Sequence, residues 1–141
     1  MARWVISSFE YEQREIDLRM DPEMPRILGD ERLLAHALRC VVDNAVRYSP
    51  ESTNIRVSIT ATDNDLLIDV TDQGIGIPAS ETERIFEPGF QGSNAKMVRA
   101  TGLGMGLAVA RRILNQHGGD VRLLHSDHPT QFILELPIGR R

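Results

Sequence analysis

Apolar residues recur with two different periods in the first third of the chain. From Glu15 to Asp21 they alternate with polar residues, which predicts a half-buried strand. From Asp30 to about Tyr48 they recur every three or four positions, which predicts an amphipathic helix with Asp30 as its N-cap. The predicted buried stripe of this helix consists of Leu33, Leu34, Ala37, Leu38, Val41 and Ala45.

Strict alternation returns twice later in the chain. Two alternating runs flank the turn-forming pair Asp63-Asn64 and predict a hairpin. Its inward residues are Ile55, Val57, Ile59, Leu66, Ile68 and Val70. A second strand pair is predicted from Val121 to Leu124 and from Phe132 to Leu136.

Helical periodicity lies between these two strand pairs. A short helix is predicted from Ser80 to Phe86, and a longer one from about Gly104 to His117 with Gly118 as its stop. The inward residues of the longer helix are Leu107, Ala110, Ile113 and Leu114. The stretch from Gly89 to Thr101 has no usable periodicity and is expected to be a mobile loop.

Helices and mostly antiparallel strands in this order are typical of the α+β class. We expect a two-layer α/β sandwich, in which a mixed, mostly antiparallel sheet is covered by about three helices. The length of 141 residues is enough for one domain with its own core. Residues 1–14 are expected to be an N-terminal extension, or the remnant of an upstream element, before a domain of residues 15–141.

Composition excludes several classes of function. The net charge of −4 provides no electrostatic attraction to nucleic acid. No apolar run approaches the roughly 18 residues needed to cross a bilayer, and the N-terminus lacks the pattern of a signal peptide. The single cysteine, Cys40, excludes an internal disulfide and is typical of a reducing cytoplasm. We therefore expect a cytoplasmic domain without direct membrane contact.

One face of the first predicted helix is polar. Cys40, Asn44, Arg47 and Tyr48 are spaced i, i+4, i+7 and i+8 and therefore share that face. Asn44 offers a neutral oxygen that suits Mg²⁺, which takes few protein ligands. Arg47 could pair with phosphate oxygens and Tyr48 could hydrogen-bond to them. From this helix alone, an ordinary solvated face remains the better interpretation.

The end of the third predicted strand combines a carboxylate with glycines. Asp72 could accept a hydrogen bond from an exocyclic amine of a base. Gly74 and Gly76 would let the backbone pass close to a flat ring, with Ile75 and Ile77 as apolar walls. A simple Asp-x-Gly turn is the alternative, and in isolation it would be favoured.

A glycine-rich segment leads into the second long helix. It consists of Thr101, Gly102, Leu103, Gly104, Met105, Gly106 and Leu107. Backbone N–H groups at a helix N-terminus bind anions, so this segment predicts a phosphate site. It is neither a P-loop nor a dinucleotide fingerprint, because the position that needs the last glycine holds Leu107. Lys96 and Arg99 precede it in a loop without acidic residues, which favours a lid over phosphates.

The four histidines show no catalytic arrangement. None of them has a neighbouring carboxylate placed like the partner of a base, and each is expected to be structural. His117 lies at the predicted C-terminus of a helix, where a positive charge is favourable.

Four stretches of the chain resemble the N, G1, F and G2 boxes of the ATP-binding domain of sensor histidine kinases. In that order they are the helix end at Asn44 to Tyr48, the strand end at Asp72 to Ile77, Arg84-Ile85-Phe86-Glu87-Pro88 and the glycine-rich segment at Thr101 to Leu107. That domain shares the Bergerat fold of the superfamily that contains DNA gyrase, Hsp90 and MutL. The resemblance runs from about Ile16 to Pro137, and His117-Gly118-Gly119 and the closing strand are similar to the kinase branch.

The resemblance implies ATP and Mg²⁺ as cofactors and a role for each motif. Asn44 would ligate Mg²⁺, and Asn44 and Arg47 would be the catalytic residues. Asp72 would bind the adenine amine with help from Thr130. The remaining cofactor-binding residues would be Tyr48, Gly74, Gly76, Ile77, Lys96, Arg99, Thr101, Gly102, Leu103, Gly104, Gly106 and Leu107.

The chain departs from the family pattern in three places. Cys40 stands where histidine kinases have a second Asn and gyrase-like ATPases a catalytic Glu, which argues against autonomous hydrolysis. Pro88-Gly89 stands where many relatives have Arg, which leaves Lys96 or Arg99 for the phosphates. The dimerising hairpin that carries the phosphoacceptor histidine is absent, with residues 1–14 at most its edge.

The resemblance therefore implies a domain that binds Mg-ATP and donates the γ-phosphoryl group to a histidine on a separate dimerisation domain. A response regulator would be an indirect partner, and the parent protein is expected to be cytoplasmic or anchored in a membrane. One alternative is a free-standing serine kinase of the anti-sigma type, but these carry an acidic residue where this chain has Cys40. Another is a module that only senses ATP, which the intact glycines make less favourable.

Overall fold

The computed structural model describes residues 16–48, 54–74, 76–88, 106–126 and 129–138, with only the backbone described for Arg47, Tyr48 and His125. These described residues form five strands, two α-helices and a 3₁₀ turn at Ala79–Glu81. In chain order these are β1 (Ile16–Met20), α1 (Glu31–Tyr48), β2 (Ile55–Ala61), β3 (Asp65–Asp72), α2 (Gly106–Gln116), β4 (Asp120–Ser126) and β5 (Thr130–Pro137).

The five strands form one mixed sheet in the order β1-β2-β3-β5-β4. β1 runs parallel to β2, and all other neighbours are antiparallel. The parallel pair requires a crossover connection, which α1 provides. The predicted α+β sandwich and both predicted strand pairs are confirmed.

The core lies between one face of the sheet and the two helices. Alternate residues of β3 are buried there, and Phe132 of β5 is 1% exposed. The main core residues are Leu34, Ala37, Leu38, Val41, Val42, Ala45, Ile55, Val57, Ile59, Leu66, Ile68, Val70, Ala110, Ile113, Leu114, Val121, Phe132, Leu134 and Leu136. Within the described ranges, no helix is long and apolar enough to cross a bilayer.

The start of α1 is fixed by its N-cap. The Asp30 Oδ1 atom accepts hydrogen bonds from the backbone N–H groups of Arg32 at 2.9 Å and Leu33 at 3.1 Å, which confirms the predicted cap. The prediction that Leu33 is buried is wrong, because its side chain is 40% exposed while that of Leu34 is 7% exposed. Neighbouring residues on a helix point about 100° apart, and only one of the two leucines can face the sheet.

The end of α2 requires both glycines of the His-Gly-Gly motif. Gly118 adopts a φ of 80°, and the N–H of Gly119 bonds to the carbonyl of Leu114 at 2.8 Å, as in a Schellman cap. A Cβ atom on Gly119 would lie 1.8 Å from the carbonyl oxygen of Glu135, so no side chain fits there. The predicted stop at Gly118 is confirmed.

The predicted short helix from Ser80 to Phe86 is wrong as an α-helix. Only Ala79–Glu81 forms a 3₁₀ turn, and residues 82–86 continue as further turns. The backbone bonds from Glu81 to Pro78, from Arg84 to Glu81 and from Glu87 to Arg84 each join residues three apart, which is the 3₁₀ pattern. The segment nevertheless buries Ile85, which is 7% exposed.

Arg111 joins this turn segment to α2 and β4. Its guanidinium lies 4.5 Å from the centroid of the Phe86 ring, and its Nε donates to Asp120 Oδ1 at 3.0 Å. Phe86 in turn packs edge-on against Phe132, with ring centroids 6.3 Å apart. The Arg111 guanidinium therefore contacts both the Phe86 ring and the Asp120 carboxylate.

The Asp120→Asn variant is expected to lose about 0.5–1 kcal/mol of unfolding free energy at neutral pH, since the ion pair is partly exposed. Partial burial alone would raise the pKa of Asp120, but hydrogen bonds from Arg111, the Val121 N–H and Asn115 lower it overall. A lowered pKa in the folded state means that the stabilisation is complete above the unfolded-state value of about 3.9 and disappears as the pH falls through the folded-state value.

Urea unfolding of the wild type and of Asp120→Asn at pH 7 and in steps below pH 4 measures this difference. The two proteins should differ at pH 7 and converge in acid. A difference that grows as the pH falls would contradict the assignment.

Candidate nucleotide-binding site

Two polar residues interrupt the apolar face of the sheet. Asp72 is 2% exposed and Thr130 is 4% exposed, and among the described residues they are the buried polar positions. They lie directly opposite each other in the register of β3 and β5. A buried carboxylate requires hydrogen-bond donors, so this corner of the sheet is built for a polar ligand group or for a structural network.

The carboxylate of Asp72 is held in one orientation. Its Oδ1 atom accepts a hydrogen bond from the backbone N–H of Gly74 at 2.8 Å, and Gly74 is itself buried. The Asp-x-Gly turn considered from the sequence is therefore present. Because the turn engages Oδ1, it also sets the direction of the other carboxylate oxygen.

The loop after β3 is attached to the β4–β5 hairpin. Gly76 adopts a φ of 80°, a conformation that favours glycine. The N–H of Ile77 then donates to the carbonyl of Ser126 at 2.7 Å, and Ser126 pairs with Thr130 across the hairpin. Gly74, Gly76 and Ile77 are thus brought beside Thr130. Sequence reasoning missed Ser126, because it acts through its backbone carbonyl, which carries no side-chain signal.

The two helices run antiparallel, and α1 is the longer. At one end His117 bonds to the backbone of Asp30, and at the other a Cβ atom on Gly106 would lie 3.8 Å from both Cys40 Cβ and the Cys40 carbonyl oxygen. Eight residues of α1 follow Cys40, a length of about 12 Å. The last two turns of α1 therefore extend beyond the N-terminus of α2.

Asn44 lies on this extension, one turn after Cys40, with its side chain half-buried. Arg47 and Tyr48 belong to the final turn of the same helix. Asn44 therefore lies one helical turn beyond Cys40, the residue of α1 that approaches the start of α2 at Gly106. Leu107 is 9% exposed and belongs to the core, so a ligand could reach only its backbone.

The thiol of Cys40 is unsuited to act as a base. Burial, reinforced by the negative charge of Asp43, raises the pKa of this thiol above its usual value. The sulfur lies 3.8 Å from His36 Nε2. At neutral pH Cys40 therefore stays protonated, and it offers no thiolate to a metal ion.

The donors near the end of α1 fit magnesium better than softer metals. Within the described ranges no group of three or more His, Cys, Asp or Glu side chains could hold an ion. Mg²⁺ keeps most of its waters and needs only one or two protein ligands, and a single amide oxygen from Asn44 meets this requirement.

Several predicted site residues lie outside the described ranges. They are Lys96, Arg99, Thr101, Gly102, Leu103 and Gly104. The same holds for Ile75, for the expected mobile loop at residues 89–101 and for the expected extension at residues 1–14.

Residues 29–140 match the family described as histidine kinase-, DNA gyrase B-, and HSP90-like ATPase. The sensor-like histidine kinase SenX3 of Mycobacterium tuberculosis is 37% identical over 125 residues, which cover 87% of this chain and 30% of that protein. The sensor histidine kinase WalK of Bacillus subtilis is 34% identical over 94 residues, 65% of this chain and 15% of that protein. The chain thus spans less than a third of these curated relatives.

Solved structures of histidine kinases have the same fold as this chain. The mycobacterial sensor histidine kinase MprB has a TM-score of 0.80 at 28% identity, covering 96% of this chain and 95% of that chain. The nucleotide-free catalytic domain of histidine kinase ThkA has a TM-score of 0.82 at 26% identity, covering 96% and 90%. Full-length ShkA in complex with AMPPNP has a TM-score of 0.81 at 26% identity, covering 99% of this chain and 29% of that one. The chain therefore belongs to the family of histidine kinase-, DNA gyrase B- and HSP90-like ATPases, as the catalytic domain of a sensor histidine kinase.

Proposed function

We propose that this domain binds Mg-ATP and donates the γ-phosphoryl group to a histidine on the dimerisation domain of its parent kinase. The observation that carries the proposal is the buried pair of Asp72 and Thr130 on the sheet, which packs against α1, the helix that holds the half-buried Asn44. A carboxylate buried in an apolar face is costly unless hydrogen-bond donors surround it, and in this proposal the ligand's amine is one such donor beside the Gly74 N–H.

The base of the nucleotide lies at the sheet corner in this proposal. Asp72 accepts a hydrogen bond from the exocyclic amine of adenine, and the Thr130 hydroxyl assists. Guanine presents a carbonyl oxygen at the equivalent position, which a carboxylate repels. Gly74 and Gly76 allow close approach of the backbone to the ring, and Ile77 packs beside it.

The phosphates lie at the end of α1 and the start of α2. Mg²⁺, when bound, neutralises phosphate charge, and Asn44 is its protein ligand. Arg47 and Tyr48 contact phosphate oxygens, as do the backbone N–H groups of Gly102, Gly104 and Gly106. Lys96 and Arg99 add positive charge, and Thr101, Leu103 and Leu107 contribute through their place in the same segment.

Catalysis in this arrangement consists of positioning and charge neutralisation, which is typical of phosphoryl transfer. The protonated Cys40 occupies the place where a hydrolytic base would act, so water is not activated. The acceptor histidine comes from another domain, of which residues 1–14 are the proposed edge. The parent kinase would pass the phosphoryl group on to a response regulator, and this domain would work in the cytoplasm.

Incubation with γ-labelled ATP tests the proposal. The chain alone should carry almost no label and hydrolyse ATP very slowly, whereas addition of a dimerisation domain with its acceptor histidine should produce acid-labile label on that domain. Acid-labile label on the isolated chain, lost on replacing His36, His117, His125 or His128, would contradict the proposal. Acid-stable label on an added protein partner would instead indicate a serine kinase.

A further inference from the structure

His117 contacts both helices that carry the proposed nucleotide-binding residues. Its Nδ1 atom lies 2.8 Å from the carbonyl oxygen of Ile113, and its Nε2 atom lies 3.0 Å from the backbone nitrogen of Asp30. A carbonyl can only accept and a backbone N–H can only donate, so Nδ1 carries the proton and Nε2 accepts. This tautomer is neutral, and its two bonds agree with the structural role expected from the sequence.

Each of these two bonds satisfies a helix-terminal group that lacks a partner within its own helix. Ile113 is four residues before His117, and the N–H of His117 bonds instead to Leu114 at 3.0 Å. At the start of α1, a capping box would place a Glu or Gln at the third helical position to accept from the N–H of the N-cap residue. That position is Leu33, which cannot accept.

We propose that His117 is a positioning residue, which replaces the missing capping-box acceptor from the neighbouring helix and thereby fixes the alignment of α1 against α2. Gly29 is shaped for this contact, because a Cβ atom there would lie 2.4 Å from His117 Cδ2. Asn44 and Gly106 lie at the opposite ends of the same two helices. A change of alignment at His117 would therefore move Asn44, the proposed magnesium ligand, relative to Gly106 at the start of α2. This inference rests on the proposed function for its effect on nucleotide, but not for its effect on alignment.

Capping and alignment are separable by experiment. His117→Ala removes both, while His117→Ala combined with Leu33→Glu restores an acceptor to the Asp30 N–H within α1 itself. Leu33 is 40% exposed, so the glutamate can be accommodated. The matched control is Gln116→Ala, an exposed residue in the same turn of α2. Gly29→Ala is a second test, since it displaces the imidazole without removing it.

Two measurements are made where all variants are folded, as checked by thermal unfolding. The first is the rate at which a thiol reagent labels Cys40, which reports the contact with Gly106 and needs no nucleotide. The second is the affinity for AMPPNP with Mg²⁺ by calorimetry. His117→Ala and Gly29→Ala should label at least about threefold faster and bind AMPPNP about threefold to tenfold more weakly than the wild type.

In the double variant, the added glutamate should recover the melting temperature but neither the labelling rate nor the affinity. Recovery of all three would show that His117 acts only as a cap and would overturn the inference. Unchanged labelling in His117→Ala would overturn it as well. Absence of AMPPNP binding in the wild type would contradict the proposed function. The labelling rates of Cys40 would still test the role of His117 in helix alignment.

Discussion

Replacing Asp72 with asparagine should abolish detectable binding of ATP while leaving the fold intact. The amide has the same shape and can still accept from the Gly74 N–H through its oxygen. That bond turns its NH₂ group toward the base, where it meets the adenine amine donor to donor. Loss of a charge-assisted hydrogen bond and an unpaired buried donor together should weaken binding by at least about 100-fold.

Calorimetry with AMPPNP and with the matching guanine analogue measures this effect. Asp65→Asn is the matched control, because it makes the same change on the same strand but on the face away from the helices. The control should bind AMPPNP like the wild type, and the wild type should strongly prefer adenine. Equal affinity for the guanine analogue, or normal binding by Asp72→Asn, would exclude the assignment of the base.

Replacing Asn44 with alanine should remove phosphoryl transfer to an added dimerisation domain. The chain offers one neutral oxygen for Mg²⁺ at this point of α1, since Cys40 occupies the preceding turn as a protonated thiol. Without that ligand the ion and the γ-phosphate lose their alignment, and the initial rate of transfer should fall by at least about 100-fold.

The rate is measured with labelled ATP and an excess of acceptor domain over a range of Mg²⁺ concentrations. Asn54→Ala is the matched control, because Asn54 is exposed, directly precedes β2 and belongs to none of the motifs. Binding of ADP without Mg²⁺ should be unchanged in Asn44→Ala. If transfer persists at the wild-type rate, Asn44 is not the magnesium ligand.

Local signals in the sequence identified most of the fold. The alternation around Asp63-Asn64, the cap at Asp30 and the stop at Gly118 each depend on residues close together in the chain. Local reasoning also placed Asp72 at the end of a strand, and the sheet register then set it opposite Thr130. The resemblance to histidine kinases agrees with the family match and with the solved structures.

The features that escaped prediction depend on contacts between distant segments. The bond between His117 and the Asp30 N–H escaped prediction because the two residues are 87 positions apart and a backbone N–H carries no side-chain signal. The choice between Leu33 and Leu34 depended on the angle at which α1 meets the sheet, which periodicity does not determine. The turn after Pro78 is held by Phe86 against Arg111, so tertiary packing replaced helical propensity there.

The corner that we propose to bind the base favours one kind of inhibitor. Asp72, Gly74, Ile77 and Thr130 come from β3, its following loop and the β4–β5 hairpin, and none comes from residues 89–105. A small heteroaromatic compound with one amine donor should bind the Asp72 carboxylate at this corner without contacts to the proposed phosphate-binding residues. The affinity of such a compound should therefore be retained in variants with substitutions at residues 89–105. A fragment screen would best start from such compounds and extend them toward Asn44 afterwards.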